Sequence, residues 1–286
     1  MSPPEPPTPA AWQPPSDFLQ LQDGLWRSPG VSRVSYPEIG NEICFQIEDG
    51  SFWFRHRMNC LLALVRQFPP DGMLYDIGGG NGFVALGLQS AGMEVALVEP
   101  GDGARNALRR GVRHVIHATM EDARFRPHSL PAAAAFDVIE HISDHISFLR
   151  GIRERLAPGG RFYCSVPAGE ALWSADDVHA GHFRRYSRAS LSAALHAAGF
   201  IVEFISPFFL WLTAPIFLVR VLPSRLRLKD SISAGNPSAI QSDHRLPGLL
   251  AGIVNRADAW ELGRLQARRP LPFGTSLLCV ARADQP

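Results

Sequence analysis

Two groups of residues in this chain have the types and spacing to do chemistry: a carboxylate followed by a row of glycines, and two histidines set among acids and arginines. Asp76 lies in the apolar run Leu74-Tyr75-Asp76-Ile77, and Gly78, Gly80 and Gly82 follow at alternate positions. Glycine reaches positive φ cheaply and lets a ligand approach the backbone. The pattern is therefore that of a chain leaving a strand, turning tightly beneath a ligand and entering a helix. Glu99 closes the next apolar run, where a carboxylate can accept hydrogen bonds from both hydroxyls of a ribose. Farther along, an imidazole at His141 can hold a proton near neutral pH, and Glu140 beside it can orient it. Packing beneath the ligand is the alternative for His141. His182, Arg184, Arg185 and Tyr186 form the second polar group, whose guanidinium forks suit a carboxylate, phosphate or phenolate. The same arginines could instead close internal salt bridges with Asp176 or Asp177.

These residues need a scaffold that brings distant segments to one edge, and the hydrophobic periodicity supplies it. From Phe52 the chain reads as an amphipathic helix ahead of the first strand, its aromatic residues first as hydrophobic anchorage and second, with Trp53, Arg57 and Asn59, as a cover for the ligand mouth. Beyond the glycine turn, helical patterns at 83–89, 104–110 and 148–156 alternate with strand patterns at 94–99, 115–118, 132–137 and 161–166. Strands separated by helices of this length make parallel βαβ units, so the fold class is α/β with a doubly wound, Rossmann-like sheet. Ligands in such sheets sit at the carboxyl ends of the strands, where every residue named above falls.

Asp76 with Gly78, Gly80 and Gly82 resembles the cofactor loop of class I S-adenosylmethionine (SAM) dependent methyltransferases. The run Asp137-Val138-Ile139-Glu140-His141 and the turn Leu156-Ala157-Pro158-Gly159-Gly160 are similar to that family's motif after the fourth strand and its L-x-P-G-G turn. The resemblance covers roughly 74–200. The stretches His182 to Ser187 and Pro272 to Leu278 look like the type 11 and ubiquinone-biosynthesis-like branch. What the resemblance implies is a mostly parallel sheet with an antiparallel last strand and SAM as cofactor, its amino acid end positioned by Asp76 and its ribose by Glu99. Met120, Glu121 and Asp122 fall where the family meets the adenine. Its implied catalytic candidates are His141, Glu140 and His182, with Arg184, Arg185, Tyr186 and Trp173 on the acceptor side. The activity implied is methyl transfer to an oxygen, or a nitrogen, of a small-molecule or lipid-like acceptor. Two rivals stand: an NAD-dependent oxidoreductase, since Gly80, Gly82 and Ala85 also fit the dinucleotide fingerprint, and a non-catalytic scaffold that kept the fold.

Composition bounds the rest. A chain of 286 residues that is 46% hydrophobic can build one large domain. A net charge of +1 gives no broad polyanion-binding surface, so no nucleic-acid partner is expected. Cys44, Cys60, Cys164 and Cys279 lack metal-type spacing and read as free thiols in a reducing, cytoplasmic compartment; no metal is expected. Residues 1–30 read as a disordered proline-rich tail, 31–286 as the domain, and about 206–270 as a helical, apolar insertion within it. Lys229 to Leu246 reads as a linker. The apolar segment 204–222 reads first as a lid over the acceptor pocket, with peripheral membrane contact second and a dimer contact third; Pro207, Pro215 and Arg220 weigh against a spanning helix.

Overall fold

The computed structural model describes residues 12–30, 45, 47–225 and 248–284. Cys44 and the expected linker 229–246 lie outside them. Among the described residues nine strands form one sheet in the order β1-β2-β5-β4-β3-β6-β7-β9-β8. Its centre is β3 (Leu74–Ile77), β4 (Val95–Val98), β5 (His114–His117), β6 (Leu130–Phe136) and β7 (Leu156–Pro167). These five pair in parallel, in the register Asp76↔Leu97 and Asp76↔Ala134 around β3. The chain order reverses at β3, so its carboxyl end is the switch point of the sheet. β8 (Phe200–Phe208) and β9 (Ser276–Ala283) complete one side, β9 running antiparallel to both β7 and β8.

Each central strand is apolar on both faces because helices cover both. Tyr75, Ala96 and Val98 join one core, while Leu74, Val95 and Leu97 join the other. Helix α1 (Phe52–Gln67) starts where the Ser51 side chain accepts from the amides of Trp53 and Phe54, and it buries Cys60, Leu61, Leu64 and Val65. Helices α2 (Phe83–Ser90), α3 (Gly103–Arg110) and α4 (His145–Arg155) are the crossovers the periodicity predicts. Short α5 (Ala175–His179) and α6 (Arg188–Ala197) follow β7, the latter capped by Ser187. Cys60, Cys164 and Cys279 are buried free thiols.

Two strands lie within the stretch 1–30 that reads as a tail. Asp23 and Gly24 both take positive φ and turn β1 (Gln20–Gln22) into β2 (Leu25–Arg27), as an Asp-Gly hairpin requires. Trp26 then pairs with Ile116, and Leu19 and Leu25 are buried, so this segment extends the sheet beyond β5.

β8 runs through Phe208, past the start read for the insertion at about 206; after it Thr213–Ile216 (α7) passes through a π turn, Phe217–Val221, into Leu222–Arg225 (α8). The chain returns as α9 (Gly248–Gln266), which packs along α1. A buried polar clamp joins them. Glu261 accepts from the amides of Phe209 and Leu210 and from His56 Nε2 at 2.6, 2.8 and 2.9 Å. Phe209 is held at a φ of 58° in this turn. Among the described residues no helix is long and apolar enough to cross a membrane.

Candidate active site

The glycine loop leaves β3 at the switch point. Gly80 takes a φ of 53°, and a Cβ there would meet nothing within 4 Å, so its outer side faces open space. Gly82, at φ 78°, is the opposite case: a Cβ would fall 2.7 Å from that of Ala107, so the residue lets α2 lie against α3. The Glu99 carboxylate holds the loop in place. Its Oε2 accepts from the Gly80 amide at 2.9 Å and its Oε1 from the Gly101 amide at 2.7 Å. Burial raises the Glu99 pKa and these two amides pull it down.

Asp76 has no such compensation. It is 1% exposed, and neither carboxylate oxygen has a hydrogen-bond partner. Burial pushes its pKa up to about 7; the Arg57 guanidinium opposes the shift and Glu99 adds to it. A buried acid without hydrogen-bond partners at the end of a central strand is costly to keep.

Beyond β6 a second set of side chains converges. Arg57, on α1, donates from Nε to Asp137 at 2.7 Å and from its terminal nitrogen to the Phe136 carbonyl at 3.2 Å. Ser165, on β7, donates to the other Asp137 oxygen at 3.0 Å, and Asp137 itself sits at a φ of 59°. Asp tolerates this left-handed conformation better than most residues. Arg57 therefore faces inward, beneath the Trp53 ring 5.7 Å away, and Asn59 is exposed and borders α9 rather than the ligand mouth.

Glu140, His141 and His182 are brought together, with one ligand-type atom of each within 4.8 Å of the others. His56, Cys60 and Glu261 form a comparable group within the α1–α9 clamp. The Glu140 carboxyl is buried, and burial, followed by the nearby Asp137, holds its pKa well above the usual range. His141 is pushed down to about 4, mostly by burial and then by His182, whose ring centroid is 4.7 Å away. It is a neutral imidazole at physiological pH. His182 Nδ1 donates to Asp177 at 2.8 Å, which fixes the ring, and the ring packs edge-on to His141.

Both arginines make contacts within the chain. Arg185 pairs with Asp177 at 2.8 Å and donates to the Ala168 carbonyl, while Arg184 donates to the carbonyls of Ile139, Ile142 and Ser143. Both guanidinium groups brace the loop after β6 and the exit of β7 instead of standing open to an acceptor anion. Tyr186 is buried in the core, its pKa raised by burial to about 12, and Trp173 is half-buried beside the Ser174 cap of α5. In the expected adenine region Met120 is buried, Asp122 half-buried and Glu121 exposed. The sequence offered Asp177 as a salt-bridge partner for the arginines but not its contact with His182, and it did not offer the Asp137–Ser165 contact. The capping pattern Ser174-x-x-Asp177 was the available signal for a structural Asp177.

Residues 54–203, just over half of the chain, match the family model described as a methyltransferase domain. The chain belongs to the methyltransferase-domain family. The resemblance carried by the glycine loop and the Pro-Gly-Gly turn is thus borne out, the oxidoreductase reading gives way, and the family's cofactor is SAM. No curated protein matches this methyltransferase in sequence. Solved structures share its fold. A chain from the Haloferax volcanii complex of the Trm112 methyltransferase activator with a methyltransferase is 19% identical, with a TM-score of 0.55, covering 87% of this chain and 97% of that one. Haemonchus contortus phosphoethanolamine N-methyltransferase 2, solved with SAM, is 18% identical at a TM-score of 0.54; the match covers 88% of this chain but 59% of that protein. A SAM-dependent methyltransferase of Thermotoga maritima is 16% identical at 0.53, covering 86% and 95%.

Proposed function

We propose that this methyltransferase binds SAM between Asp76, the glycine loop and Glu99, and transfers the methyl group to an oxygen, or a nitrogen, of a small-molecule or lipid-like acceptor beside His141. The observation that carries the reading is Asp76: a buried carboxylate with two unpartnered oxygens, next to a glycine turn whose outer side is open. A cationic amino group is the partner those oxygens lack. Glu99 keeps two lone pairs beyond its amide contacts, enough for two ribose hydroxyls. Met120 and Asp122 serve the adenine end.

Bound SAM supplies a methyl carbon already activated by the sulfonium charge. The chain's contribution is alignment and exclusion of water, and alignment alone is worth on the order of 7–11 kcal/mol. His141, unprotonated at neutral pH, takes the acceptor's proton where one must leave; His182, held by Asp177, and the buried Glu140 carboxyl shape the pocket around it. Arg184 and Arg185 act as positioning residues, Trp173 and Tyr186 as walls.

Calorimetric titration with SAM and, separately, with NADH tests the cofactor. Saturable binding of SAM alone is expected; binding of NADH alone would overturn the reading, and binding of neither would favour the scaffold. Glu99→Ala should reduce SAM affinity by roughly 10- to 100-fold, the scale of hydrogen bonds to a charged group. Undiminished affinity would remove Glu99 from the ribose role. With an acceptor found by radiolabelled methyl transfer, His141→Ala should lower kcat by about 10²–10⁴ with SAM affinity preserved. Full turnover would leave His141 as packing alone.

A further inference from the structure

A cavity of about 630 Å³ opens between the exit of β7, the segment after β8 and the approach to β9, lined by Leu172, Leu210, Trp211, Ala214, Phe217 and Phe273. Its size lies within the roughly 300–1,000 Å³ range of small-molecule sites. The lining contains no charged side chain. Its two polar side chains present nothing to a ligand: Trp211 Nε1 donates to Asp258 at 2.8 Å, and the Thr213 hydroxyl is itself buried. A polar ligand would lose water there without compensation, whereas a hydrocarbon would not.

Contacts tie both walls to residues around the proposed methyl-transfer site. On one side the Gly169 amide donates to the Tyr186 carbonyl at 2.9 Å, and the α5 segment after Leu172 carries Asp177, which fixes His182. On the other, Phe209, next to Leu210, stacks on Trp53 at 5.3 Å, and Trp53 covers Arg57 of the Asp137 pair. The outer mouth is apolar as well. Phe217 and Phe273 line the cavity and are 37% and 54% exposed, and Leu218, Val219 and Leu222 continue the exposed apolar surface along the same helical stretch.

From this we infer that the cavity holds the long hydrocarbon chain of an amphiphilic methyl acceptor, whose polar end then reaches the His141 side. The inference rests on the methyl-transfer reading for the word acceptor, but chain binding is measurable without SAM. Octyl, decyl and dodecyl maltosides, kept below micelle formation and titrated by calorimetry, are the probes. Affinity should rise by about fourfold per methylene, the fold-change equivalent of ~0.8 kcal/mol per buried CH₂. Ala214 is exposed on the helix and lines the cavity, so Ala214→Trp should fill it without disturbing the core, lowering dodecyl maltoside affinity at least tenfold on that scale. SAM affinity should be unchanged. An affinity independent of chain length, or undisturbed in Ala214→Trp, would overturn the proposal. Loss of SAM binding with the chain-length series intact would instead count against the methyl-transfer reading alone. Sedimentation with phosphatidylcholine vesicles, abolished in Leu218→Asp while maltoside affinity persists, would assign the chain to a bilayer lipid. Absence of sedimentation with that affinity intact would assign it to a free amphiphile.

Discussion

Asparagine at position 76 is expected to weaken SAM binding by roughly 10- to 100-fold, the range for losing a charged hydrogen-bond partner, while leaving the cofactor-free protein at least as stable as the parent. The two effects have opposite signs because the carboxylate is a liability until its ligand arrives. Without SAM its pKa stands at about 7 against an ordinary 3.8, so the folded state favours the protonated acid. That preference contributes stability at low pH and loses it as pH rises through the window from about 4 to about 7. Asparagine cannot ionise, so its melting temperature should exceed the parent's at pH 8 more than at pH 5. Binding runs the other way. A cationic partner favours the ionised acid, so SAM binding releases a proton below about pH 7, and the parent's affinity should fall by up to about tenfold per pH unit on acidification. Calorimetry in buffers of differing ionisation enthalpy reads that proton directly. Parental SAM affinity in Asp76→Asn would sink the assignment.

Arg57→Met should cost about 3 kcal/mol, the lower end of what breaking a buried pair costs, since Asp137 retains 30% side-chain exposure and some solvent screening. Urea unfolding measures it. The variant should also move the pH dependence of SAM binding. The Arg57 charge lowers the proton affinity of both Asp76 and Glu140, so without it the acidic loss of SAM affinity should begin at higher pH. Arg57→Lys keeps the charge but not the paired donors to Asp137 and the Phe136 carbonyl, so it should lose stability while keeping the parental pH midpoint. A midpoint that stays put in Arg57→Met would separate the ion pair from the cofactor site.

The parts of this site legible in the sequence are those written within a few adjacent residues. Asp76 with its glycines, Glu99 at a strand end and the Pro-Gly-Gly turn each carry a local backbone requirement, and each sits where the pattern puts it. The Arg57–Asp137–Ser165 contacts join three separate elements, and no local periodicity records which guanidinium will meet which carboxylate. Arg184 and Arg185 show the same limit: a cationic pair looks alike on paper whether it faces an anion or the chain's own carbonyls. The β1–β2 hairpin was readable in principle, but its three-residue strands beside a proline-rich stretch give an alternation too short to stand out.

Strand β9 has a consequence for the birth of the molecule. It lies between β7 and β8, so an interior strand follows both of its partners in the chain, and they leave the ribosome before it. Until Ser276–Ala283 emerges, β7 and β8 each present a row of unpaired amides and carbonyls to the cell. The cofactor loop can be complete long before the sheet that carries it has closed. A nascent chain that has not yet made β9 would therefore expose both edges while the strands before it are already present.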